Sequence, residues 1–206
     1  MFTSRSMGFI LCFAVFLFLM LFFGAKMTSH NTIVKEFSIS RGKKYRHFKG
    51  NEYVVLCIAR DTEDENIREM VVYQDLQDAN KIWVRPLAMF KEKVDKVKYP
   101  DVAQTYRFEE IVDMGVPVSF SEIDSKSSDG TISSRKKYRH FKGNEYVVVC
   151  IARDTEDKDI REMVVYQDLH DANKIWVRPL SMFKEKVDKD KYPDVKQTYR
   201  FEEIVD

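Results

Sequence analysis

The residues best suited to chemistry in this chain come in two matching sets. One is Tyr45, Arg46, His47, Trp83 and Arg85; the other is Tyr138, Arg139, His140, Trp176 and Arg178. Histidine titrates closest to neutrality, so His47 and His140 invite a general-base reading. A general base also needs an orienting partner and a reacting group within hydrogen-bond reach. Neither histidine has a Ser, Asp or Cys companion at a recognisable spacing, so no catalytic residue is assigned and the chain is read as a non-enzyme. Cys57 and Cys150 lie inside apolar runs, with no C-x-x-C or H-x-x-x-H beside them. They read as buried structural thiols, and neither a metal nor a cofactor is expected. Lys49-Gly50-Asn51 is a turn and not a phosphate-binding loop.

What remains is recognition. The strip KKYRHFK, residues 43–49, interleaves basic and aromatic side chains, a composition that suits stacking on bases while contacting phosphates. The bland alternative packs Tyr45 and Phe48 inward and leaves the charges as a solvated edge. With 34 Lys+Arg against 33 Asp+Glu, the formal net charge is only +1, which excludes nucleic-acid binding by bulk charge. Trp83 and Arg85 share one face of a strand and belong to residue types enriched at recognition hot spots. A core Trp beside a snorkelling Arg is the competing reading. The expectation is a non-enzymatic binding face made of the ten residues named above, for an unidentified protein or small molecule. Single-stranded nucleic acid and an unrecognised His-dependent enzyme stand as the alternatives.

The elements that must position these residues follow from an internal repeat. Residues 43–113 recur as 136–206 without a gap, differing only at Leu56/Val149, Glu65/Lys158, Asn66/Asp159, Gln77/His170, Ala88/Ser181, Val97/Asp190 and Ala103/Lys196. Within a repeat, Gly50-Asn51 between two β-prone runs signals a hairpin. The run from Tyr53 to Ala59 is apolar throughout and reads as a strand covered on both faces. Met70 to Tyr73 forms a second central strand. Ile82 and Val84 alternate with Trp83 and Arg85 as a half-buried strand that Pro86 terminates. A helical turn is placed at 89–94 and a last strand at 106–112. Four or five short strands in about 71 residues predict a small antiparallel barrel of the SH3-like or OB-like kind, with SH3-like preferred, two copies of which hang like beads on a string. The Ser-rich stretch 114–135 reads as a flexible linker, and 27–42 as a spacer.

Residues 1–26 form a third kind of segment. From Ser6 to Ala25 there is no charge, and as a helix the stretch spans about 30 Å, the thickness of a bilayer core. The run is longer than the apolar part of a signal peptide and lacks an Ala-x-Ala site, so a retained single-pass anchor at 7–25 is preferred to a cleaved leader. Basic residues accumulate after the segment, which favours repeats on the cytoplasmic side of the membrane.

The ordered string Tyr45-Arg46-His47-Phe48-Lys49-Gly50, Ile58-Ala59-Arg60, Met70-Val71-Val72-Tyr73, Trp83-Val84-Arg85-Pro86-Leu87 and Met89-Phe90 resembles the bacterial family catalogued as domain of unknown function 1653. The resemblance covers nearly all of each repeat, and it implies a short soluble domain with no assigned role. This chain departs from that pattern by its duplication, by its apolar N-terminus and by a lengthened lysine-rich stretch at 91–105.

Overall fold

A computed structural model of the chain describes residues 38–111 and 120–205. The first repeat folds as β1 (Lys44–His47), β2 (Glu52–Asp61), β3 (Glu69–Asp75), β4 (Ile82–Pro86), the one-turn helix α1 (Leu87–Phe90) and β5 (Phe108–Ile111). The second repeats this order as β6 (Lys137–His140), β7 (Glu145–Asp154), β8 (Glu162–Asp168), β9 (Ile175–Pro179), α2 (Leu180–Phe183) and β10 (Phe201–Glu203). The β1–β2 hairpin turns where expected. Its Gly50 has φ +101°, a conformation L side chains rarely adopt. Pro86 ends β4 and leads straight into α1, two residues before the position predicted for the helical turn.

Strand β2 explains the unbroken apolar run. In its ladder with β3, Val55 faces Tyr73 and Cys57 faces Val72, so Leu56 is skipped. This bulge rephases the alternation of side chains. Val54, Leu56, Cys57 and Ala59 all enter one core, while Val55 enters another. The same shift occurs between Val148 and Cys150 in β7.

The two separate barrels expected from the sequence are replaced by one shared barrel. Strand β5 ends the sheet on β1 and does not close onto β4. Instead β4 runs parallel to β7, with Trp83 opposite Arg153, and β2 runs parallel to β9, with Arg60 opposite Trp176. The ring β2-β3-β4-β7-β8-β9 thus returns to β2 as a six-stranded closed barrel, with β1, β5, β6 and β10 as additional strands. The physical reason lies in the repeat itself. A β2-β3-β4 meander has apolar residues on both faces and an unpaired edge at each side. Its own β1, β5 and α1 cover the outer face, and β1 pairs the β2 edge only from Glu52 to Val54. Pairing with the second copy covers the inner face and both edges together.

Three apolar cores result. The central one joins Val54, Leu56, Met70 and Val84 of the first repeat to Cys150, Ala152, Met163 and Val177 of the second. Each repeat also keeps an outer aromatic core. In the first, Phe90 stacks on Phe108 at 3.9 Å, with Tyr45 and Tyr73 edge-on to Phe90. Cys57 and Cys150 are both buried in the central core, and burial pushes the Cys57 thiol up to about 12. Both are buried, as the apolar runs around them predict.

The described part of the Ser-rich stretch is folded, not a free string. A 3-10 turn at Phe120–Glu122 delivers Ile123 into the central core. The serines serve as local hydrogen-bonding groups: Ser134 Oγ donates to the Ile123 carbonyl at 3.0 Å, and Ser125 Oγ accepts the Ile151 amide at 2.9 Å. Structural equivalence also starts before Lys43, since Ile39 packs on the outer core of the first repeat as Ile132 does on that of the second. Among the described residues no helix is long and apolar enough to cross a membrane, and the expected anchor at 7–25 lies outside them.

Candidate functional site

On β4 the side chains divide as the alternation requires. Ile82 and Val84 point into the central core, and Trp83 and Arg85 face outward. Outward here means into a cleft of about 290 Å³ over the aromatic core of the first repeat. Tyr53 and Tyr73 on β2 and β3 form its walls, together with Phe108 on β5. His47, at the end of β1, contributes its ring 4.8 Å from that of Phe108. Three cations line the cleft, Lys49, Arg85 and Arg107, and no carboxylate is among its lining residues.

Arg85 is the centre of the arrangement. Its guanidinium carbon lies 5.4 Å from the Phe108 ring centre and 5.9 Å from that of Tyr73, within cation–π range. The residue is only 8% exposed, yet its Nε and Nη1 are buried without a hydrogen-bond partner. Arg178 repeats the geometry, 5.3 Å from Phe201, with Nε donating to Tyr166 Oη at 3.1 Å and Nη1 again unpartnered. Buried polar groups are normally satisfied, and the same nitrogen stands without a partner in both copies.

Each site borrows from the opposite repeat. The loop after β7 crosses the seam, where the Thr155 amide donates to the Val84 carbonyl at 3.1 Å. It brings Thr155 into the cleft and sets Glu156 Oε1 3.6 Å from Arg85 Nη2. Reciprocally, the Thr62 amide donates to the Val177 carbonyl, and Glu63 lies 3.6 Å from Arg178 Nη2. A charge-assisted N–H···O contact is normally 2.7–2.9 Å, so these carboxylates approach the guanidinium without closing on it.

The electrostatics of the cleft register on its histidine. Burial, then the positive charges of Arg107, Arg85 and Lys49, hold His47 down to about 4. His140 is held down to about 4 by burial and by Arg178, Arg200 and Lys142. Both rings are therefore neutral at pH 7. A neighbouring carboxylate would have the opposite effect.

Of the residues proposed from the sequence, His47, Trp83 and Arg85 converge on one cleft. His140 and Arg178 reproduce the contacts that His47 and Arg85 make with their aromatic neighbours, and Trp176 holds the matching position on β9. Tyr45 and Tyr138 do not join them. They are core residues, 0% and 4% exposed, and burial pushes both hydroxyls up to about 12. Arg46 and Arg139 are exposed and ion-paired with Glu52 and Glu145 at 2.7 Å. Lys43 pairs with Glu110 at 2.6 Å, so much of the charge in the KKYRHFK strip is already neutralised within the protein. Sequence reasoning missed Tyr53, Tyr73, Arg107 and Phe108, which one repeat supplies, and Thr155 and Glu156, which the other supplies. Among the described residues no group of three or more His, Cys, Asp or Glu is placed to hold a metal.

Residues 43–110 and 136–203 each match the sequence profile of a family described as a protein of unknown function (DUF1653). No curated protein and no solved structure matches the chain.

Proposed function

The chain belongs to the DUF1653 family, whose function is unknown, and we propose that it is a non-enzymatic binding module with two equivalent recognition clefts, held at a membrane by residues 7–25. One observation carries this reading: Trp83, Arg85 and His47 meet in a cleft whose buried arginine retains an unpartnered donor, and Arg178 repeats that arginine geometry. Small-molecule sites typically combine apolar walls with a few convergent polar groups, which describes this cleft. Against catalysis stands the company of the histidine. A general base works best with a pKa near the operating pH, whereas His47 faces cations and is held near 4. The buried thiols are equally poor nucleophiles. For the anchor, the support is the uncharged run from Ser6 to Ala25.

The chain has two tryptophans, one in each proposed site, so intrinsic fluorescence reports occupancy directly. A screen of small polar aromatic compounds against the full chain in non-ionic detergent is expected to find ligands that change the emission of both Trp83 and Trp176. A screen in which no compound alters either tryptophan would refute the recognition reading. Resistance to carbonate extraction from membranes tests the anchor, and release of the full-length chain would overturn it.

A further inference from the structure

We infer that the group these clefts take is an oxyanion, a carboxylate or phosphate on a small molecule, seated on Arg85 in one cleft and on Arg178 in the other. The inference rests on the reading of the clefts as recognition sites and names their ligand class.

Three features converge on it. First, the lining of the described cleft carries Lys49, Arg85 and Arg107 and no acidic residue, and although Arg107 pairs with Glu92 at 2.9 Å, Arg85 has no carboxylate within close hydrogen-bond distance. Second, Arg85 and Arg178 each keep Nη1 unpartnered although the residues are 8% and 7% exposed. A neutral ligand offers such a guanidinium an acceptor at most, whereas an oxyanion supplies both the acceptor and the charge, and the charge-assisted bond is about twice as strong. Third, the protein already aims a carboxylate at each guanidinium from the opposite repeat. Glu156 and Glu63 lie 3.6 Å from Nη2, and they accept hydrogen bonds from the adjacent Thr155 and Thr62 hydroxyls respectively. They mark where an acceptor is favourable and leave room for a better placed one. The aromatic walls fit a flat apolar body behind the anionic group.

This arrangement makes the two glutamates competitors of the ligand, which gives the test a sign that loss of folding cannot imitate. The full chain in non-ionic detergent is titrated with benzoate, with phenyl phosphate and with neutral benzyl alcohol, at constant ionic strength set by chloride. Tryptophan emission and the His47 and His140 ring proton resonances are followed. At least one of the two anions is expected to bind with two equivalents per chain, and the two arms tell carboxylate from phosphate. Bound anion is expected to raise the titration midpoints of His47 and His140, because it offsets the surrounding cations. R85Q together with R178Q is expected to weaken binding by about tenfold or more. E156Q together with E63Q is expected to tighten it about two- to tenfold. If benzyl alcohol binds and neither anion does, the clefts stand as recognition sites and the oxyanion assignment falls. If none of the three binds at the tryptophans, both readings fall. Should the arginine variants fail to fold, the glutamate variants decide alone, and unchanged or weaker anion binding in them overturns the inference.

Discussion

Truncating Met70 to Ala tests whether the repeats share one core. Met70 belongs to the first repeat, is 2% exposed and packs in the central cluster with residues of the second. Removing a buried methionine side chain costs about 2–5 kcal/mol through lost burial and the cavity left behind, and about 3 kcal/mol is a fair centre for a site enclosed on all sides. With a urea dependence of about 2 kcal/mol per molar, the unfolding midpoint falls by about 1.5 M. The tryptophans allow each repeat to be watched alone. Trp83 reports on the first repeat in a W176F background, and Trp176 on the second in a W83F background. In a barrel closed by both repeats, the two reporters shift by the same amount. Independent beads would move the Trp83 transition and leave that of Trp176 in place, and that result would refute the shared barrel.

Three further predictions follow from local geometry. Arg135 has φ +69° where the first repeat has Gly42 at φ +80°, and both amides donate to a β-strand carbonyl at 2.8 Å. R135G relieves a left-handed conformation costing about 1–2 kcal/mol and gives back part of it as chain entropy, so a gain of about 0.5–1 kcal/mol is expected by urea denaturation. His47 and His140 are neutral when folded and titrate near 4, below their ordinary 6.5, so between pH 6.5 and 4 the unfolded chain binds more protons. The histidines' contribution to stability therefore falls on acidification through that window and levels off below it. The full shift corresponds to about 3 kcal/mol per histidine, and solvent screening of these partly exposed rings reduces it to about 1–2. The double variant H47Q/H140Q is expected to show a correspondingly flatter profile of stability against pH. Because Tyr45 is buried and Lys43 and Arg46 are ion-paired, single-stranded RNA is expected to keep its mobility in the presence of the protein at low salt; a retarded band would revive the nucleic-acid reading.

Much of the local architecture was legible in the residues. Gly50 marked its hairpin, Pro86 its strand end, and the alternation of Ile82 and Val84 with Trp83 and Arg85 correctly put the last two on a common outer face. The run from Tyr53 to Ala59 announced burial on both sides. What covers the inner side was not legible, because β7 and β9 carry the same pattern as β2 and β4. An apolar face states that it needs a partner without saying whether the partner lies in its own repeat or in the copy. The bulge at Leu56 left no mark either, since every residue around it is apolar. Composition alone groups Tyr45 and Arg46 with His47 in one strip. Read by strand parity, Tyr45 and His47 share a face while Arg46 takes the other. Thr155 and Glu156 reach the cleft only through the seam, which no spacing within one repeat encodes.

The seam also sets a timetable for biosynthesis. Val84 and Asp61 find their parallel partners in the other repeat, and equivalent positions are 93 residues apart along the chain, as Lys43 and Lys136 are. At a synthesis rate of about 5–20 residues per second, the first repeat waits about 5–20 s on the ribosome before its counterpart emerges. Throughout that interval β4 and the C-terminal end of β2 present bare edges, and Val54, Leu56, Met70 and Val72 have no second repeat to pack against on their inner side. A second nascent chain on the same message displays an identical half, able to occupy the place meant for the chain's own second repeat. The nascent protein is therefore most exposed to mispairing between neighbouring ribosomes, and codons that speed passage through the second repeat shorten that exposure.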